Sequence, residues 1–439
     1  MKGIFAVQNV NERSDLSGVI SITKSKRSKQ IDTEDFFTRY FKYIGESEAP
    51  PIYHRWTALS IIGALLGRKV WLPFGTSEIY PNQYIMLMGS AGARKGTAIN
   101  PGRKLLRLAG YDTFAADAVS KEMFLADMGR KDSEPLDLDV ETLCDDNPTE
   151  TYVIAEEFND FIGQGDLPFV TRLTKLWDNL DEYRHPKLHG KSVYIYKPTV
   201  NILSANTQQN FSMAIPPEAI GNGFCSRFLF IHSEPTGIQI TFPAPPDLAD
   251  RDWLVERLKR IKACCSGPMT IAQDARKTFD RIYKEFKPID DHRFQHYSTR
   301  RFTHLLKLCI IIAAADTRRI ITTADAINAN TVLHYAERRM PKALGEFGKA
   351  RNSSTAAAIL DVLNRASEPK TVNEIWKFVS KDLNKYAELQ DIIVGLTKAE
   401  KIQLVKIGRK QGYLPLHTER TEWDDALLNL DYLTEGEQE

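Results

Sequence analysis

Nine consecutive residues carry the clearest chemistry in this chain: Gly89-Ser90-Ala91-Gly92-Ala93-Arg94-Lys95-Gly96-Thr97. Glycines let a backbone fold tightly enough to aim its N–H groups at phosphate oxygens. A lysine reaches the terminal phosphates, and a hydroxyl holds magnesium. Gly89 and Gly92 take the first and fourth positions of such a loop, and Lys95 the seventh. Arg94 stands where the common pattern has glycine, and Gly96 where it has Ser or Thr. The hydroxyl is displaced by one, to Thr97. The plainer alternative is a glycine-rich turn with an incidental lysine.

A triphosphate site also needs carboxylates. Tyr152-Val153-Ile154-Ala155 leads into Glu156 and Glu157. Glu156 would reach magnesium through water, and Glu157 would orient and activate the attacking water. Solvated loop charges are the competing reading. Asn206 comes at the end of Asn201-Ile202-Leu203-Ser204-Ala205, which reads as a buried strand, and its amide there positions that water or simply closes a turn. Arg227 precedes another apolar run. It is either a snorkelling edge residue or a finger reaching a neighbouring subunit's γ-phosphate.

These residues need a scaffold that delivers them to one place. Residues 83–88 read as a strand running into the loop, followed by a helix to about residue 109. Further strands are expected at 151–155, 200–204 and 228–232. Helical patches between them imply an α/β fold with a parallel sheet. Upstream, Phe36, Phe37, Tyr40, Phe41 and Ile44 suit an amphipathic helix. Pro50-Pro51 breaks the chain before a second helix over 52–67, and 70–74 reads as a short strand. Residues 235–246 form a proline-rich crossing, and 252–350 reads as helical throughout.

Composition sets the outer limits. The chain has 439 residues, 42% of them hydrophobic and 26% charged, which is ordinary for a globular protein with several cores. No apolar run approaches the ~18 residues of a membrane span. Five cysteines without metal-ligand spacing read as reduced thiols of a cytoplasmic protein, with no zinc site. Net charge is +1, but the residues from 419 onward carry −7. Lys24-Ser25-Lys26-Arg27-Ser28-Lys29 lies in a polar arm that contacts phosphate or is merely solvated.

The order of the loop 89–97, Glu156-Glu157, Asn206 and Ser226-Arg227-Phe228 resembles the ATPase core of AAA+ proteins, nearest the hexameric replicative helicases. The Arg-Lys-Gly-Thr form of the loop, with Tyr53-His54-Arg55-Trp56 upstream, is similar to phage and prophage helicase-like ATPases. The resemblance implies a P-loop NTPase (AAA+-like) core with a helical lid, binding ATP and Mg2+. The cofactor would lie on Gly89, Ser90, Ala91, Gly92, Ala93, Arg94, Lys95, Gly96 and Thr97. Lys95 would bind the β/γ-phosphates, with Thr97 and Glu156 at the metal. Glu157 would be the catalytic acid, Asn206 the first sensor and Arg227 the finger in trans. Arg300, favoured over Arg301, would be the second sensor. A homohexameric ring follows, because Arg227 needs a neighbour's nucleotide.

Two further segments suggest DNA as the partner. Residues 181–198 read as a β-hairpin with Arg184, His185, Lys187, His189 and Lys191 toward its tip. In the resembling helicases such a hairpin lines the central channel and tracks single-stranded DNA; a solvated hairpin is the alternative. Residues 351–417 read as a winged helix. It has helices over 354–366, 371–379 (with Ile375, Phe378 and Val379 inward) and 385–399, and a two-stranded wing around Arg409 and Lys410. Lys385, Arg409 and Lys410 would touch duplex phosphates.

The expected organisation is an arm (1–33), an N-terminal helical region (34–75), an ATPase core (76–245), a lid (246–350), a winged helix (351–417) and an acidic tail (418–439). The tail would dock a replication partner, fill a basic groove or stay disordered. The function expected is an ATP-dependent DNA helicase or translocase of phage or prophage replication. A helicase loader or remodeller, and an ATP-gated DNA-binding initiator or repressor, are the alternatives.

Overall fold

The computed structural model describes residues 34–116, 121–129, 148–163, 165–185, 193–221, 223–345, 347, 353–366, 368–381, 383, 385–398, 401–407, 410–416 and 422–438. The first helix, α1 (Phe36–Ile44), is capped by the Asp35 carboxylate, which accepts from the N–H groups of Phe37 and Thr38. The second, α2 (Pro51–Leu66), opens on a proline at its first position, where no N–H is missed. It is mostly apolar, with no polar face, and is buried along its length after Pro51.

The central element is a parallel sheet of β1 (Tyr84–Met88), β2 (Glu150–Ala155), β3 (Thr199–Asn206) and β4 (Phe228–His232), so the protein is mixed α/β. The spatial order is β2-β3-β1-β4. Every residue of β1, β3 and β4 is buried, because helices cover both faces. Continuous apolar runs, rather than alternation, are the signature this leaves in the sequence. The register sets Met88 beside both Asn206 and His232, and Ala155 beside Ser204. Three strand ends are thereby levelled around the end of β1.

From β1 the chain enters the glycine-rich loop and then α3 (Lys95–Leu108). Two short helices follow β2: α4 (Phe158–Ile162) and α5 (Leu167–Trp177). The later region is dominated by α6 (Gln295–Ala315) and α7 (Thr323–Glu337), the latter opened by a Thr322/Asp325 capping box. This region is not helical throughout, as its sequence suggests. Gly267–Pro268 adds in parallel to the strand Val70–Phe74, and Thr270–Ile271 pairs with Ile320–Ile321. Gly267 turns at φ 95° and Pro268 cannot donate, which stops the helix there. One continuous apolar core runs from Phe36 to Leu433, across the expected borders at 75/76 and 245/246.

Helices Ser353–Arg365, Val372–Val379 and Tyr386–Lys398, with the antiparallel pair Ile402–Ile407 and Lys410–Pro415, hold a separate core. Thr371 and Glu374 form the capping box expected of them. Phe378 does not point inward; it is 63% exposed. Val372, Ile375, Trp376 and Val379 already occupy the inward stripe, and residue 378 falls outside that arc.

The acidic tail packs on its own chain. Trp423, Leu427 and Leu433 join the main core, and Arg281 pairs with Asp424 at 2.9 Å. Asn330 donates to the Leu427 carbonyl at 3.0 Å. Farther on, Glu437 meets Arg55 of α2 in a buried two-bonded pair, both contacts 3.0 Å, and Arg55 also donates to the Tyr432 carbonyl at 2.7 Å. Of the alternatives for this segment, the described part of the tail is thus packed rather than disordered, with Leu430 still 46% exposed. The reason is electrostatic: Arg55 is a buried charge in a mostly apolar helix, and Glu437 supplies its counter-charge. Glu437→Ala should therefore destabilise the fold by about 3–5 kcal/mol. In urea denaturation, an Arg55→Met/Glu437→Leu double variant should recover most of that loss.

Candidate nucleotide-binding site

Tyr53 fixes the root of the loop. Its hydroxyl lies 2.7 Å from the Met88 carbonyl and 2.9 Å from the Ser233 carbonyl, and accepts from the Ser233 N–H at 3.1 Å. Gly89 passes so close that a Cβ would lie 2.6 Å from both the Tyr53 hydroxyl and the Ser233 carbonyl. Only glycine fits there.

The two departures from the common loop pattern both have a structural account. Arg94 adopts the left-handed conformation (φ 54°, ψ 31°) that glycine takes without strain. Its guanidinium is anchored 2.5 Å from the Glu48 carboxylate, which holds the strained residue in place. At position 96 a Cβ would lie 2.9 Å from Glu156 Oε2. The carboxylate takes the space that a Ser or Thr side chain fills in the usual motif, and Asn100 donates to it at 3.0 Å.

The first turn of α3 has no side-chain cap, so its N–H groups are available to an anion. The Lys95 ammonium folds back over the loop, donating to the carbonyls of Gly89 (3.0 Å) and Ser90 (2.8 Å). Burial lowers its pKa, and the negative charge of Glu157 opposes that shift. Glu156 and Glu157, just past β2, are both exposed at this edge. Asn206 ends β3 here, donating to Asn159 Oδ1 at 2.8 Å. Hard carboxylate oxygens of this kind suit magnesium. Gly96 is what admits Glu156, while Thr97 is exposed on the flank.

That flank opens into a cavity of about 420 Å³. Arg94 and Thr97 border it, Ser47, Glu48 and His54 make its polar side, and Ile240, Pro243 and Pro246 of the proline-rich crossing close it.

Arg227 and Arg300 lie elsewhere. Tyr84 pairs with Phe228, so Arg227 is at the other end of the sheet, about 13 Å away at ~3.3 Å per residue. Arg227 is 7% exposed and donates to the Asp178 carboxylate at 2.6 and 3.2 Å. Arg300 donates to Ser226 Oγ at 3.1 Å. Neither side chain is near the glycine-rich loop of its own chain, because α6 packs against the turn preceding β4. Arg301 is buried against Glu337 (2.7 Å) and Asn330 (2.9 Å).

For the DNA-contact residues, the structure contains the hairpin Glu182–His185/Val193–Tyr196 between α5 and β3. Arg184 is exposed on it and pairs with Glu182 at 3.0 Å. Lys187, His189 and Lys191 lie outside the described residues, as does Arg409. Lys410 begins a strand, with its side chain outside the description, and Lys385 is exposed just before Tyr386–Lys398. Tyr53, Asn100, Asn159, Glu48 and Asp178 carry roles that motif spacing does not reveal. Tyr53 alone had a signal, as part of Tyr53-His54-Arg55-Trp56.

No protein-family model matches this chain, and none of the curated proteins matches it. Among the described residues, no helix is long and apolar enough to cross a membrane.

The cationic cluster at the far edge has a pH consequence. Burial among Lys307, Arg300 and Arg227 pushes the His304 imidazole down to about 3, although its Nε2 lies 3.0 Å from the Ser226 carbonyl. The unfolded histidine titrates near ~6.5. Between these values the unfolded chain binds a proton that the folded chain refuses, so stability falls as pH drops. The contribution is about 2–3 kcal/mol between pH 7 and 4.5. Urea titrations at those two pH values should show a smaller acid loss in His304→Gln than in the parent.

Proposed function

We propose that the chain is an ATP-hydrolysing DNA motor: a P-loop NTPase of the AAA+ type, with a helical lid and a C-terminal winged helix, acting as a helicase or translocase in phage or prophage replication. The observation that carries the reading is convergence. A capless helix N-terminus with its lysine, a pair of carboxylates and an amide come from three separate strands to one edge of a parallel sheet. That is the equipment of phosphoanhydride hydrolysis.

The phosphates would settle on the amides of residues 89–96, displacing the Lys95 ammonium from the Gly89 and Ser90 carbonyls onto their own oxygens. Glu157 would take a proton from the attacking water, while Asn206, braced by Asn159, holds that water in line. Magnesium would be held by Glu156 with Thr97 at its edge, and would supply charge neutralisation on the phosphate oxygens. Single-stranded DNA would meet the hairpin carrying Arg184, and duplex would meet the unit carrying Lys385. A cytoplasmic hexamer is the assembly this reading favours.

Arg227 and Arg300 share the edge away from their own loop. In a ring they would serve the neighbour's nucleotide, after Arg227 exchanges Asp178 for phosphate. The tie to Asp178 also favours a second reading, an ATP-gated DNA-binding protein in which no arginine is delivered in trans.

Three variants test the motor. Lys95→Ala should weaken ATP binding at least about tenfold in calorimetry. Glu157→Gln should retain binding yet lower turnover by about 10²–10⁴. Arg227→Ala should lower turnover by about 10³ or more, and mixing it with Glu157→Gln subunits should restore some activity across shared interfaces. Negligible turnover in the parent, unchanged by Glu157→Gln, would favour the switch.

A further inference from the structure

Three aromatic side chains from three separate elements meet at the surface. Phe74 ends the strand Val70–Phe74, where the chain turns at Gly75 (φ 61°) into the antiparallel Ser77–Ile79. Tyr283 lies on the helix Ala275–Glu285, and Phe302 on α6. The Phe302 ring is the centre of the group. Its centroid is 6.1 Å from that of Phe74, 5.0 Å from that of Tyr283 and 6.1 Å from that of the buried Phe279. The interplanar angles are 51°, 72° and 85°, so none of these three rings lies flat on Phe302. Phe74 is 47% exposed and Tyr283 64%. Single exposed apolar residues are ordinary, whereas a contiguous group of them marks an interaction site.

The charge beside the rings is positive. Both acids of the helix Ala275–Glu285 are neutralised within it, Asp280 by Lys284 at 2.8 Å and Glu285 by Arg281 at 2.9 Å. Glu78, on the strand after Phe74, accepts from the Tyr80 hydroxyl. Arg276 and Lys277 are exposed and have no acidic partner among the described residues. Arg276 lies two turns before Tyr283 on the same stripe of the helix, about 10 Å along its axis.

Exposed rings beside unpaired cations suit a ligand that has both flat apolar groups and negative charge. A single nucleic-acid strand has both, in its unpaired bases and its phosphates. In a duplex each base face is already covered by the next base pair. A second copy docking through this same face would set Arg276 and Lys277 against their own counterparts. The cores of protein interfaces are also poor in charge.

We propose that Phe74, Tyr283 and Phe302 are a stacking platform for single-stranded DNA, with Arg276 and Lys277 on its phosphates. The choice of DNA as the strand rests on the motor reading; the platform stands on the rings and cations. It adds contacts to the bases, on elements other than the hairpin carrying Arg184 and the unit carrying Lys385.

The test is fluorescence anisotropy on the full chain without ATP. The probes are labelled oligothymidylate, an abasic strand of the same length, and oligouridylate. The parent should bind oligothymidylate about tenfold more tightly than the abasic strand, which keeps the phosphates and lacks the bases. Phe74→Ala and Tyr283→Ala, both at exposed positions, should each lose about tenfold on oligothymidylate and nothing on the abasic strand. Tyr283→Trp should keep the parent's affinity. An Arg276→Gln/Lys277→Gln double variant should weaken both strands and flatten the slope of log affinity against log salt by about 1.4. Equal affinity of the parent for the two deoxy strands, or full affinity in both alanine variants, overturns the platform. An altered oligomeric mass in Phe74→Ala with DNA binding unchanged makes this a face between copies and overturns it too. Tighter binding of oligouridylate than of oligothymidylate overturns the choice of DNA. A parent that binds no strand overturns both the platform and the DNA partner of the motor. Binding as expected without any ATP turnover upholds the platform and sinks the motor reading alone.

Discussion

The Tyr53 hydroxyl is the hinge-pin of the site. It closes the ends of two parallel strands, β1 and β4, at the point where the chain leaves the sheet for the glycine-rich loop. Parallel strands that end together leave carbonyls in a dry environment, and each must find a donor. The Met88 carbonyl accepts from the Ser233 N–H, and the single proton of the phenol of Tyr53, on α2, lies within reach of that carbonyl and of Ser233's own. The phenol's closeness is what forces Gly89 to be glycine. Successive residues of the same helix then reach in different directions. His54 borders the cavity beside the loop, and Arg55 captures the end of the chain through Glu437. A helix turns by 100° per residue, so three neighbours can serve three surroundings only when the helix is enclosed on every side.

The sheet separates two kinds of charge. At the carboxyl ends of the strands lie the groups that would act on a phosphate: Lys95, Glu156, Glu157 and Asn206. At the opposite ends Arg227, Arg300 and Lys307 crowd about Trp177 and Asp178. Burial pushes the Lys307 ammonium down to about 7, with Asp178 opposing the shift. Lys307 is held by the Tyr80 carbonyl and by Asn82. These cations pack α6 against the sheet, and their hydrogen bonds are made inside the subunit. Arg227 is the member whose partner, Asp178, is itself 40% exposed, which places that pair at the margin of the cluster.

The strand ending at Met88, the acids at the end of the next long apolar run, and the amide after the third were all legible, because a strand buried on both faces is mostly apolar, Asn201 and Ser204 being the polar exceptions inside β3. The capping box at Thr371 and Glu374 was legible for a similarly local reason: both partners lie within one turn. The outward direction of Phe378 was not, since a helix with apolar residues on several faces does not say which face meets its neighbours. The short strands at Gly267–Pro268 and Thr270–Ile271 were hidden as well, because two residues carry no periodicity and their pairing partners lie far away in the chain.

By itself the sequence determined the glycine-rich loop with its lysine, the succession of strands and helices, and the positions of the polar residues that end the strands, all matters of short-range spacing. Tertiary structure decided the rest. It inserted β3 between β1 and β2, set Arg94 left-handed against Glu48, made Gly96 the room for Glu156, and folded the acidic tail onto Arg55. Each of these joins residues distant along the chain, and their energies depend on burial and counter-charge, which exist only once the core has closed.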